Sequence, residues 1–174
     1  MRDRFFHRSD RSQIYTPFME SSSNEPVIIL SGGGDFFMKD LPGNISVRVE
    51  NGKVVEIKLG SDESNCPPKV KKELEEYFSG KRKEFSFPVE IRGTSFQKKV
   101  WEEVRKIPYG ETRTYREIAE KLNTSPRAVG QALAKNPLPL YIPCHRVVSK
   151  RGLGGFSAGL EWKRFLIDLE RGSR

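Results

Sequence analysis

Cysteine and histidine are scarce in this chain, two of each in 174 residues. Cys66 and Cys144 lie far apart, too few and too distant for a disulfide framework in a chain of this length. Together with His7 and His145 they lack the paired close spacings of a structural zinc site, so no metal is expected. No stretch reaches the roughly 18 consecutive apolar residues that a membrane-crossing helix needs. The opening "MRDRFFHRSDRSQ" has no apolar core of a secretory signal. These absences exclude a membrane protein and an exported disulfide scaffold, and imply reduced thiols in a cytoplasmic setting. No cofactor is expected either. The apolar fraction of 36% is modest, but eleven Phe and two Trp supply bulk for a core.

Charge is plentiful, and it is unevenly placed. The net charge is +8. Residues 1–93 hold fifteen Lys/Arg against fifteen Asp/Glu, whereas residues 94–174 hold sixteen against eight. A basic half on an otherwise neutral chain fits nucleic-acid binding. A solvated basic face explains the same numbers, so charge alone does not choose.

The pattern divides into three parts. Residues 1–25 are Arg- and Ser-rich without apolar periodicity and are expected to be mobile. Residues 26–92 read as a small unit of strands and one helix. It opens on "PVIIL", and a hairpin "NISVRVENGKVVEIKLG" follows, turning at Asn51-Gly52. The helix "KVKKELEEYFSG" stops at Gly80, and "KEFSFPVEI" is a strand that Pro88 confines to an edge. Residues 93–174 are mainly helical. Thr94 or Ser95 caps a helix with Phe96, Val100, Val104 and Ile107 as its buried stripe. "TYREIAEKLN" and "NTSPRAVGQALAKNP" then form a helix-turn-helix, with Ile118, Ala119 and Leu122 inward, Pro126 at the first helical position and Pro137 as the stop. "LEWKRFLIDLE" closes the chain as an amphipathic helix. The fold class is α+β.

One stretch asks for chemistry: "NPLPLYIPCHRVVSKRGLGGFS", residues 136–157. An apolar run leads into Cys144 and His145. Cys144 is either a buried small hydrophobe or a nucleophile that the fold positions. A thiol attacks only as thiolate, so neighbours must lower its pKa from about 8.5. Adjacent side chains diverge, so His145 would reach the sulfur through water, and a carboxylate on its other nitrogen would fix the tautomer. Glu170, on the last turn of the closing helix, is the candidate acid. Upstream, Ala128, Gly130, Ala132 and Ala134 give one helix a face of small residues for close approach, and Arg127 sits in its first turn.

"IPCHRVV" at residues 142–148, preceded by "SPRAVGQALAKNP" at 125–137, resembles the O6-alkylguanine-DNA alkyltransferases, also called methylated-DNA–protein-cysteine methyltransferases. The resemblance covers about residues 94–174. It implies a small N-terminal α/β domain of ribonuclease-H-like type and a C-terminal domain with a winged helix-turn-helix-like motif. It implies a monomer acting on double-stranded DNA that contains alkylated bases, bound through the minor groove without metal or cofactor. By resemblance Cys144 is the alkyl acceptor, His145 activates it through water, Glu170 orients His145, and Asn136 braces the turn before the active-site loop. Tyr115 crowds the target phosphate and hydrogen-bonds the purine, and Arg127 fills the gap in the base stack. Ser125, Ala128, Gly130 and Gln131 complete the DNA-facing helix. Ser157 and Lys163 supply polar groups near the base, and Gly155 and Phe156 belong to the loop walling its pocket.

The implied reaction flips O6-alkylguanine, and O4-alkylthymine as well, out of the duplex and passes the alkyl group irreversibly to Cys144 in a single turnover. Phe156 and Ala158 depart from the tyrosine and glycine that many members carry, which bears on the size of alkyl group accepted. A damage-binding relative without chemistry is opposed by Cys144 itself. A major-groove regulator is opposed by a helix whose only plausible base reader is Gln131. A thiol hydrolase or redox protein is opposed by the missing resolving cysteine.

Overall fold

The computed structural model describes residues 41–61 and 66–172. The N-terminal segment 1–25, the run "PVIIL" and His7 fall outside the described residues.

Alternation of apolar and polar residues makes β1 (Asn44–Glu50) and β2 (Lys53–Ser61) an antiparallel pair, with Val47 opposite Ile57 and Ile45 opposite Leu59. Asn51 and Gly52 both take positive φ, +50° and +73°, as a tight hairpin turn requires. α1 (Pro68–Phe78) buries Val70, Leu74, Tyr77 and Phe78 in the core that the ribbon shares. "KEFSFPVEI" forms no full strand. Pro88 has no N–H to give, and pairing shrinks to a single bridge, Val54 N–H to Pro88 O at 2.8 Å and Glu90 N–H to Val54 O at 3.0 Å.

α2 (Ser95–Arg105) begins with a capping box between Thr94 and Gln97. Its buried stripe is Val100, Trp101 and Val104, with Ile107 just beyond. Phe96 does not join it: the first turn stands clear of the core and leaves Phe96 40% exposed. α3 (Tyr115–Lys121), capped by Thr114 with Glu117, and α4 (Pro126–Ala134), capped by Ser125, form the helix-turn-helix. Ile118 and Ala119 are buried, while Leu122 is only half-buried at the turn.

Two features place the functional loop. A short parallel pair joins β3 (Arg113–Thr114) to β4 (Val147–Val148), and between α4 and β4 the chain makes a 3₁₀ turn, Cys144–Arg146. α5 (Leu160–Glu170) packs behind that turn with Trp162, Phe165 and Leu166 buried. One continuous core includes residues from the β1–β2 ribbon, α1 and all the C-terminal helices. Across it, Ile57 N–H donates to Pro137 O at 2.8 Å.

Candidate active site

The reactive loop is fixed before any side-chain chemistry begins. Asn136 caps the exit from α4 twice over: its Oδ1 accepts from Leu138 N–H at 2.9 Å and its Nδ2 donates to Ile142 O at 3.0 Å. This brace turns the chain so that Pro143 ends the apolar run and Cys144 begins the 3₁₀ turn. Cys144, 6% exposed, reaches the wall of a cleft of about 730 Å3.

Tyr115, Arg127, Gly130, Cys144, Gly155, Phe156 and Ser157 line that cleft together. α3 and α4 form one side and the glycine-rich loop the other. Gly154 permits the loop's close approach. Its φ is +73°, and a Cβ there would meet Tyr115 Cε2 at 2.8 Å. Ser125, Ala128 and Gln131 stand outside the lining, and Ser125 serves as the cap of α4, accepting from Ala128 N–H at 3.2 Å. Lys163 is expected from the resemblance among the polar groups near the base. It is fully buried beneath the loop, with Nζ donating to Val147 O at 2.7 Å and Gly155 O at 3.0 Å, and with Tyr115 Oη at 3.5 Å. It ties the loop to β4 and holds a positive charge under the pocket. Burial pulls its ammonium down to about 8, against the opposing effect of Cys144.

Behind Cys144 lies a buried polar network. His145 is fully buried, and its Nε2 lies 2.7 Å from Glu170 Oε1. Hydrogen bonds from His145 and Arg146 hold Glu170 well below the usual carboxylate range despite its burial. An ionised carboxylate accepts, so Nε2 carries the hydrogen and Nδ1 keeps its lone pair. Burial lowers the His145 pKa, outweighing the pull of Glu170, so the ring is neutral. Nδ1 is buried and bonded to no protein group among the described residues. A neutral imidazole with a free lone pair can accept a proton.

The thiol itself differs from a pre-ionised nucleophile. Burial pushes the Cys144 pKa up, against Asn136, Lys163 and the local backbone, which favour the thiolate. Cys144 therefore rests as a thiol and needs a base when it reacts. Replacing that base changes the pH dependence. In wild type the acid limb falls below the ordinary imidazole value of about 6.5, because His145 is depressed. His145→Ala must wait for direct ionisation, so its rate rises about tenfold per pH unit up to the raised thiol pKa. Single-turnover rates from about pH 6 to pH 9 separate the two profiles.

Three members of the network were missed in the sequence. Arg146 gives Nε to Glu170 Oε2 and Nη2 to Oε1, both at 2.9 Å, and Nη1 to Ile107 O at 2.7 Å. An arginine inside an apolar loop signals a buried partner, and this cue was available. Gly110 N–H donates to Glu170 Oε2 at 3.1 Å, and Tyr77 donates its hydroxyl to Oε1 at 2.5 Å. No local pattern marks either. Among the described residues no group of three or more His, Cys, Asp or Glu is placed to hold a metal, and no helix is long and apolar enough to cross a membrane.

Comparison with known proteins agrees with this geometry. Residues 46–91 match the ribonuclease-like domain of 6-O-methylguanine DNA methyltransferase, and residues 95–172 match its DNA binding domain. A methylated-DNA–protein-cysteine methyltransferase of Metallosphaera sedula is 55% identical over 57% of this chain and 64% of its own length. Other relatives are matched over about half to two-thirds of their lengths. The namesake protein of Archaeoglobus fulgidus is 44% identical over 72% of this chain and 90% of its own. The crystal structure of a Mycobacterium tuberculosis O6-methylguanine methyltransferase superposes with a TM-score of 0.67 at 33% identity, covering 76% of this chain and 90% of that one. That of Mycobacterium tuberculosis OGT in complex with DNA gives 0.65 at 34% identity over 72% and 85%. With both domains of that family matched across residues 46–91 and 95–172, the chain belongs to the 6-O-methylguanine DNA methyltransferase family.

Proposed function

We propose that the protein repairs DNA by direct reversal, taking the alkyl group from O6-alkylguanine, and from O4-alkylthymine, onto Cys144. The observation that carries this reading is the Cys144 thiol at a cleft wall with a neutral, Glu170-anchored His145 behind it. Residues 26–92 and 93–174 act as the two domains, the second holding both DNA and the acceptor.

The alkylated oxygen is out of reach in a stacked duplex, so the nucleotide rotates into the cleft at a cost of a few kcal/mol. α4 lies along the minor groove, where its small residues permit contact, and Arg127 enters the stack to replace lost interactions. The thiol proton passes through water to His145 Nδ1. The sulfur then attacks the alkyl carbon, an S–C bond forms, and the C–O bond breaks with its electron pair going to the purine. The departing purine anion takes up a proton from water, and the Tyr115 hydroxyl hydrogen-bonds it as its charge develops. Lys163 sits where its positive charge favours the thiolate. No group lining the cleft is suited to cleave the thioether, so each protein molecule acts once, as a monomer in the cytoplasm.

Stoichiometry tests this reading. With excess duplex carrying labelled O6-methylguanine, label on protein stops at one per molecule; continued turnover, or none bound, overturns it. Arg127→Ala should weaken extrusion by about 1–3 kcal/mol, the worth of one stacking contact in nucleic-acid complexes. A fluorescent base analogue placed opposite the lesion reads that loss, while Kd for undamaged duplex changes far less.

A further inference from the structure

Glu170 is held from both halves of the chain. Tyr77, near the end of α1, is 1% exposed and donates its hydroxyl to Glu170 Oε1 across 93 residues of sequence. The same oxygen faces His145 Nε2 and accepts from Arg146 Nη2. The Tyr77 ring is caged by Phe78, Phe85 and Tyr109, with centroids 5.2–6.0 Å away. Phenylalanine would fill that cage equally well. A buried hydroxyl is costly unless bonded, and here its bond falls on the oxygen that anchors the general base.

We propose that Tyr77 is a positioning residue for the transfer site, acting through Glu170 to set the basicity of His145. The N-terminal unit thereby tunes the reactive cysteine through Glu170 and His145. This inference rests on the alkyl-transfer reading above.

The physics is charge sharing. A carboxylate oxygen that accepts from several donors pulls less strongly on each. Removing the Tyr77 hydroxyl leaves more of the Oε1 charge for His145 and favours its imidazolium form. The other groups around the pair are accounted for. Arg146, from the 3₁₀ turn, and Lys163, from α5, both disfavour the imidazolium. Tyr109, in the turn ahead of β3, faces Glu170 and Arg146, and burial and Glu170 keep its hydroxyl protonated. Cys144 rests as a thiol. Tyr77 stays protonated through burial and the neighbouring carboxylate, so it remains a donor throughout. His145 is therefore the group that titrates on the acid side of neutrality.

The test uses full-length Tyr77→Phe beside wild type, with single-turnover transfer from an O6-methylguanine duplex followed over about pH 5 to 8. The acid limb of the variant should move toward neutral. Well down the acid limb, below the depressed His145 pKa, the variant should run about 3- to 10-fold slower, corresponding to half to one pKa unit on His145, and the two rates should converge near about pH 8. Tyr109→Phe removes a neighbouring hydroxyl for which no bond to Glu170 is seen, and its limb should stay in place. An unmoved limb in Tyr77→Phe, a uniform loss at all pH values, or an equal shift in Tyr109→Phe overturns the proposal. An NMR titration of His145, one of two histidines in the chain, reads the same pKa without chemistry. Absence of transfer in wild type would refute the alkyl-transfer reading, while the titration still judges the link from Tyr77 to His145.

Discussion

Glu170→Ala loses about 3–5 kcal/mol of folding stability, the cost of breaking a buried ion pair by removing one partner, and nearly all alkyl transfer with it. The carboxylate gathers Arg146, His145, Tyr77 and Gly110 around two oxygens. Without it the Arg146 guanidinium, 7% exposed, keeps only Ile107 O as a hydrogen-bond acceptor among the described residues, beside the Tyr109 ring. For a chain of this size the loss lowers Tm by on the order of 10 °C. Activity falls separately, since His145 loses the group that fixes its tautomer and no longer presents Nδ1 reliably. The folded Glu170 pKa lies below its unfolded value, so its stabilisation is complete above about pH 4.3 and is lost as pH falls toward the folded value. Thermal unfolding at neutral pH, with transfer measured well below the variant's Tm, separates the two effects. A variant as stable as wild type would show that the network contributes nothing.

Cys144→Ala abolishes transfer and leaves DNA binding in place. The second thiol cannot substitute, because burial pushes Cys66 up to about 12 and it sits beside α1, away from the cleft lining. The change removes one buried sulfur and touches neither Arg127 nor the helix-turn-helix. Kd for lesion-bearing duplex should therefore stay within about threefold, less than about 0.7 kcal/mol. A gel-shift titration beside a transfer assay checks both halves. Residual transfer at more than trace level would move the acceptor elsewhere.

Local signals proved readable where the physics is local. Asn51-Gly52 demands a positive-φ turn, a cap expected at Thr94 or Ser95 falls on Thr94, and Pro126 opens α4 at its first position. Glu170 was found because few acids exist in the C-terminal half and one lies at the end of its last helix. What escaped was set by tertiary contact. Phe96 shares a helical face with Val100, yet the core ends one turn short of it. Lys163 is expected near the base by resemblance, but its burial as a clamp on Val147 O and Gly155 O depends on how the glycine-rich loop folds over it. Tyr77 reads as one more apolar position on α1, because its acceptor lies 93 residues away. The resting thiol was likewise hidden, since burial depends on everything packed around Cys144.

The most direct measurement is peptide-level mass spectrometry after one incubation with a duplex containing O6-methylguanine. Transfer to the positioned thiol predicts one added methyl group, confined to the peptide that holds Cys144, with the Cys66 peptide unchanged. Tight binding of that duplex with no mass change on any peptide would contradict it, and Cys144 would then be a packed thiol in a protein that only recognises damage.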